Sequence, residues 1–145
     1  MGIGGALTDA SAETFAKLPK VQQQELLTAY FDSNKGIGYS LARTNIHSCD
    51  FSSDSYTYVN DNDTALSSFN VLHDEKYRIP FIKQAIAAAG GKLRLFVSTW
   101  SPPAWRKNNH NLAQGVKLLP EFYQAWPHYD VKFKTAYEAT RLPVV

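Results

Sequence analysis

Two carboxylates, Asp9 and Asp50, stand where a strand pattern gives way to a loop. Two tryptophans, Trp100 and Trp105, bracket a Ser-Pro-Pro-Ala stretch after another strand pattern. A tryptophan at a strand end offers a flat apolar face and one N–H donor, a surface on which the C–H face of a sugar ring packs. Carboxylates beside such rings accept hydrogen bonds from sugar hydroxyls, so this constellation is a sign of carbohydrate binding. Arg43 joins it from within a strand, on the same side as Leu41 and Asn45. A cation there needs partners, because an unpaired buried charge is expensive; the simple reading is an ion pair with Asp9 or Asp50. Cleaving a glycosidic bond takes two carboxylic acids, about 5–5.5 Å apart if configuration is retained. The five glutamates, Glu13, Glu25, Glu75, Glu121 and Glu138, all fall on or beside helical patterns. No acid/base pair is therefore legible at the strand ends. His47, Cys49 and Asp50 are close in sequence, but no second cluster completes a four-ligand metal site. No metal or other cofactor is expected.

The elements that must position these residues follow from pattern. Gly2–Leu7 reads as a strand end, and Thr8 or Asp9 can cap the helix after it. Pro19 opens a second helix with Val21, Leu26, Leu27 and Tyr30 near one face. Ile37–Ile46 reads as a strand, followed by an aperiodic polar stretch from His47 to Glu75. A loop of that length is functional or disordered, and Tyr56, Tyr58 and Phe69 argue for order. Tyr77–Ala89 reads as a helix stopped by Gly90-Gly91, and Leu93–Ser98 as a strand. Arg106–Leu119 reads as polar linker and Pro120–Thr140 as a final helix. Leu142-Pro143-Val144-Val145 resembles the start of a fourth strand. Strands alternating with helices predict an α/β fold with parallel strands. Both an open doubly wound sheet and part of a (β/α)8 barrel fit. In either, sites form at the C-terminal ends of the strands. A whole barrel has eight strand–helix units and needs about 200 residues or more, so the three strands and their helices read in these 145 residues are less than half of one.

Composition narrows the class further. Fifteen basic against thirteen acidic residues give +2, too little to argue for nucleic acid or an anionic membrane. One cysteine excludes an internal disulfide, and no apolar run is long enough to span a bilayer. The first residues show no signal peptide. Asn62-Asp63-Thr64 is a glycosylation sequon.

Longer motifs carry a resemblance. GIGGALTDASAETF, GIGYSLARTNIHSCDFSSDSYTYV, YRIPFIKQA, KLRLFVSTWSPPAW and AWPHYDVKFKTAYEA together resemble glycoside hydrolase family 30, near its glucosylceramidases, from residue 2 to about residue 143. The resemblance implies a TIM barrel of which this chain holds roughly the first three strand–helix units. It implies retaining, metal-independent hydrolysis of a β-glucosyl bond, as in glucosylceramide in sphingolipid metabolism. It makes Asp50 a partner of the sugar hydroxyls, Phe51 and Trp100 walls of the glycone pocket, and Arg43 a neighbour of the catalytic carboxylates. The partners it implies are glucosylceramide or a related β-glucoside, and a membrane surface or lipid-presenting activator protein. The compartment it implies is secreted or lysosomal.

The family's acid/base glutamate lies in Asn-Glu-Pro at the end of the fourth strand, and its nucleophile follows the seventh. Neither segment occurs in these 145 residues. The expected domain is an incomplete glycosidase barrel over 1–145, truncated before Asn-Glu-Pro. It would supply substrate-binding residues, have no catalytic residue of its own, and be inactive alone. A non-catalytic sugar- or lipid-binding remnant is the alternative. Three positions depart from the family pattern: Thr99 replaces a proline, and Asp130 and Lys134 stand where the last helix is apolar. Pro127 is expected inside that helix, at a cost of roughly 3 kcal/mol.

Overall fold

A computed structural model describes residues 2–115 and 117–145. Three parallel strands form its centre: β1 (Gly4–Ala6), β2 (Leu41–Ile46) and β3 (Arg94–Thr99), in the order β1-β2-β3. Ala6 pairs with Arg43, and Arg43 in turn with Phe96. Gly4 permits the first pairing, since a Cβ there would lie 1.7 Å from the Leu41 carbonyl oxygen. Val144 bridges Leu95 in parallel, and the Val145 N–H donates to the Leu95 carbonyl at 2.9 Å. The apolar run at 142–145 therefore takes a fourth strand's place.

The connections are helical. Thr8 caps α1 (Asp9–Lys17) by accepting from the Ser11 N–H. α2 spans Lys20–Phe31. Its buried face is Gln23, Leu27 and Phe31, whereas Val21 is 70% exposed and Tyr30 also faces out. The expected face is thus rotated. Gln23 is inside because its amide donates to the Leu18 carbonyl, satisfying the end of α1. The second strand is shorter than expected: 37–40 turns through Gly38 at φ +69 before pairing begins. A short α3 (Leu72–Glu75) leads into α4 (Arg78–Ala88), which stops at Gly90 and Gly91 in left-handed backbone.

The last helix departs from expectation. Pro120–Phe122 is only a 3-10 turn, and α5 runs from Trp126 to Ala139 with Pro127 in its first turn. The first-turn N–H has no intrahelical acceptor, so proline costs nothing there.

The core lies between one sheet face and the helices. Ala42, Ile46 and Leu95 meet Phe15, Leu27, Ile82 and Phe133 there. The opposite sheet face carries Arg43, Phe96 and Ser98, and Phe96 is 44% exposed. That is the face a barrel turns inward.

Candidate functional site

Asp50 is exposed, in the turn that follows β2, and Trp100 is half-buried just beyond β3. Parallel pairing puts both strand ends on one side of the sheet, and the two residues line one cleft of about 570 Å³. Ser52, Ser53, Asp54 and Ser55 add polar groups, and Leu112 and Ala113 form an apolar lip. A ring carrying hydroxyls can stack on Trp100 and donate to Asp50.

The other two predicted residues lie elsewhere. Phe51 is 73% exposed and borders a separate groove of about 770 Å³ along β1, as does Arg43. The Arg43 Nε donates to Ser98 Oγ at 2.7 Å across the β2–β3 pairing. Among the described residues it forms no ion pair. The expected pairing with Asp9 or Asp50 is not made; the Asp9 Oδ1 instead accepts from Ser52 Oγ at 2.8 Å and from the Asn45 amide at 3.4 Å. Asp9 is 3% exposed and lies outside the cleft. The five glutamates all stand in helices or the 3-10 turn at Pro120–Phe122, as their spacing indicates.

Behind the cleft lies a polar layer that sequence reasoning missed. His47 is fully buried, with φ +47. Its Nε2 lies 2.6 Å from the Ser101 carbonyl, and its Nδ1 lies 2.9 Å from the Tyr129 hydroxyl. A carbonyl only accepts, so Nε2 carries the proton and Nδ1 accepts from Tyr129. The Tyr129 oxygen accepts in turn from the Tyr58 N–H at 2.9 Å. Burial pushes the His47 pKa down to about 4, against the contrary pull of the Ser101 bond. The imidazole is thus a neutral strut with both nitrogens engaged inside the protein.

The expected polar linker after Trp105 begins with two buried cations. The Arg106 guanidinium lies 4.6 Å from the Trp105 ring, with Phe122, Trp126 and Tyr129 around it. Lys107 is 2% exposed. Its ammonium donates to Ser101 Oγ at 2.9 Å, the Leu112 carbonyl at 3.1 Å and the Gln114 carbonyl at 2.6 Å. Trp105, next to Arg106 in sequence, is the one local signal that this segment turns inward.

Comparison with known proteins sets this geometry in a family. The model of the glycosyl hydrolase family 30 TIM-barrel domain matches residues 1–144. A Caenorhabditis elegans protein named glucosylceramidase 4 is 41% identical over 145 residues, 96% of this chain and 28% of its own length. The lysosomal acid glucosylceramidase of Mus musculus is 40% identical over 142 residues, 94% of this chain and 27% of its own. An endo-1,6-beta-D-glucanase of Neurospora crassa is 30% identical over 95% of this chain and 30% of its own. The crystal structure of SrfJ from Salmonella typhimurium superposes with a TM-score of 0.92 at 31% identity, over 99% of this chain and 32% of that one. The chain spans under a third of the length of each of these proteins. A family match over all but the last residue, together with three parallel strands in sequential order, makes the chain a member of glycoside hydrolase family 30 and a part of its TIM barrel.

Proposed function

We propose that this chain is the amino-terminal part of the catalytic barrel of a retaining β-glucosidase of the glucosylceramidase type, and that Asp50 and Trp100 grip the glucosyl ring. One observation carries the reading: the two residues share a cleft at the C-terminal strand ends, among four small polar side chains. Asp50 accepts from ring hydroxyls, Trp100 takes the ring's C–H face, and the polar wall from Ser52 to Ser55 excludes an apolar occupant. The Ser98 bond holds Arg43 on the inward sheet face, where it can meet carboxylates brought by later strands. Phe51, beside it, borders the neighbouring groove, where a lipid chain fits better than a sugar. Glucosylceramide presented at a membrane or by an activator protein is the proposed substrate, and a secreted or lysosomal setting the proposed compartment.

Within these residues the cleft carries Asp50 and Asp54 as its only carboxylates. Retaining hydrolysis needs one group to protonate the leaving oxygen and another to form the glucosyl-enzyme. We therefore assign the two glutamates of that chemistry to polypeptide outside residues 1–145. The chain alone is expected to bind a β-glucoside and to release no aglycone from it. The experiment is a titration with an octyl or nitrophenyl β-glucoside, followed by both calorimetry and product release. Asp50→Ala is expected to weaken binding by about 1.5–3 kcal/mol, the share of a hydrogen bond to a charged group. Burst release of product by the 145-residue chain would overturn the assignment of the glutamates. Unchanged binding by Asp50→Ala would overturn the site.

A further inference from the structure

We propose that His47, Ser101 and Lys107 form a buried positioning device, with Ser101 as its hub, that sets the width of the Asp50–Trp100 cleft. None of the three lines the cleft. Each is tied by covalent sequence to one of its walls. Ser101 follows Trp100, His47 stands three residues before Asp50, and Lys107 reaches the carbonyls on either side of Ala113. Ser101 is held from two directions: its carbonyl accepts from His47 and its hydroxyl accepts from Lys107.

The bonds leave little freedom. An ammonium has three donors, and all three of Lys107's are engaged. Withdrawing the Leu112–Gln114 loop would strand two of those donors in a buried place, where unmade hydrogen bonds to charged groups are costly. The Lys107 backbone is itself fixed, since its N–H donates to the Ala104 carbonyl and the residue bridges Leu118. His47 likewise has both ring nitrogens bonded, so it cannot shift without orphaning Ser101 or Tyr129. The three walls therefore move together or not at all. For the proposed glucosyl site, the device sets the separation between the stacking ring, the hydroxyl acceptor and the apolar lip. These are positioning residues; none is placed to touch the sugar.

The test labels the polypeptide carrying this segment with 5-fluorotryptophan and assigns the Trp100 resonance by W100F. Ser101→Ala removes only the hydroxyl, and His47→Gln keeps one donor and one acceptor. Lys107→Met and His47→Ala remove a whole arm. Ile82→Val, which trims the buried core and lines neither the cleft nor the neighbouring groove, is the control for lost stability. Ser101→Ala, Lys107→Met and His47→Ala are expected to move or broaden the Trp100 resonance, with His47→Gln close to wild type and Ile82→Val silent. They are also expected to raise the Kd for octyl β-glucoside about tenfold, a fraction of what a misplacement of about 1 Å can cost. A Trp100 resonance unmoved by Ser101→Ala and His47→Ala would overturn the device, as would an equal shift in Ile82→Val. If the wild-type protein binds no glucoside, the proposed function falls by itself, and the fluorine resonance still decides the device.

Discussion

His47 shows how one residue's surroundings set its chemistry. Burial disfavours the imidazolium and the nearby Arg78 charge adds to the effect, whereas the Ser101 bond and the Asp74 charge oppose it. The outcome is a pKa of about 4 in the fold, against 6.5 for a free side chain. The sign follows from linkage. Above about pH 6.5 both states are neutral and the strut contributes fully. As pH falls, the unfolded chain takes up a proton that the folded chain refuses, so stability is lost progressively down to about pH 4. The total is about 3 kcal/mol. Urea unfolding across this range is expected to show that slope, and His47→Gln to flatten it. At the cleft itself, Trp100→Ala is expected to weaken glucoside binding at least as much as Asp50→Ala, because it removes the stacking face. Calorimetric titration of both variants compares them.

At the scale of elements, α5 explains two apparent anomalies. Pro127 lies in its first turn and not in its interior. Pro127→Ala is therefore expected to change stability by less than about 0.5 kcal/mol, as for an exposed site without special backbone, and not by the roughly 3 kcal/mol of an interior proline. A denaturant midpoint measures the difference. Thr99 and Asp130, two departures from the family pattern, meet: the Thr99 hydroxyl donates to Asp130 at 2.9 Å. Burial raises the Asp130 pKa, and the Thr99 bond works against that rise. Thr99→Val is expected to raise it further, which carboxylate titration by NMR would read. The polar residue on the helix is thus matched by the polar residue at the strand end.

Across the whole molecule, hydroxyls from distant segments converge on a buried ion pair between neighbouring residues, Asp74 and Arg78. Asp74 accepts from Arg78, from the Tyr58 hydroxyl at 2.6 Å and from the Tyr137 hydroxyl at 2.7 Å. Burial works to raise its pKa, but hydrogen bonds from His73 and the Arg78 charge hold it below the usual carboxylate value. Asp74→Ala leaves a buried guanidinium without its counter-charge and is expected to cost about 3–5 kcal/mol, read as a large fall in denaturation midpoint. The sheet is open on the β1 side, and the groove there is lined by Phe15, Leu26, Phe31 and Tyr39. Unpaired edges and apolar grooves recruit other chains. Residues 1–145 purified alone are expected to self-associate in sedimentation. A monomer that melts cooperatively would favour a self-standing remnant over the barrel segment.

The sequence by itself determined the features that depend on near neighbours. The Thr8 cap, the Gly90-Gly91 stop, the strand–helix alternation and the strand ends bearing Asp50 and Trp100 were all legible. Each rests on a hydrogen bond or a periodicity spanning a few residues. The motifs also carried the family, because long runs of specific residues hold more information than any single spacing. Tertiary structure alone decided which polar residues go inside. His47, Arg106 and Lys107 look like surface residues in sequence and are buried. His47 is buried because its partners are supplied elsewhere: Tyr129 lies 82 residues from it, and Ser101 lies 54. Burying a polar group is favourable only where its bonds are remade, and no local pattern announces such partners. The same physics separated Arg43 and Phe51 from Asp50 and Trp100. Adjacent residues at a strand end point to different sides, and only the packed sheet decides which cavity each one meets.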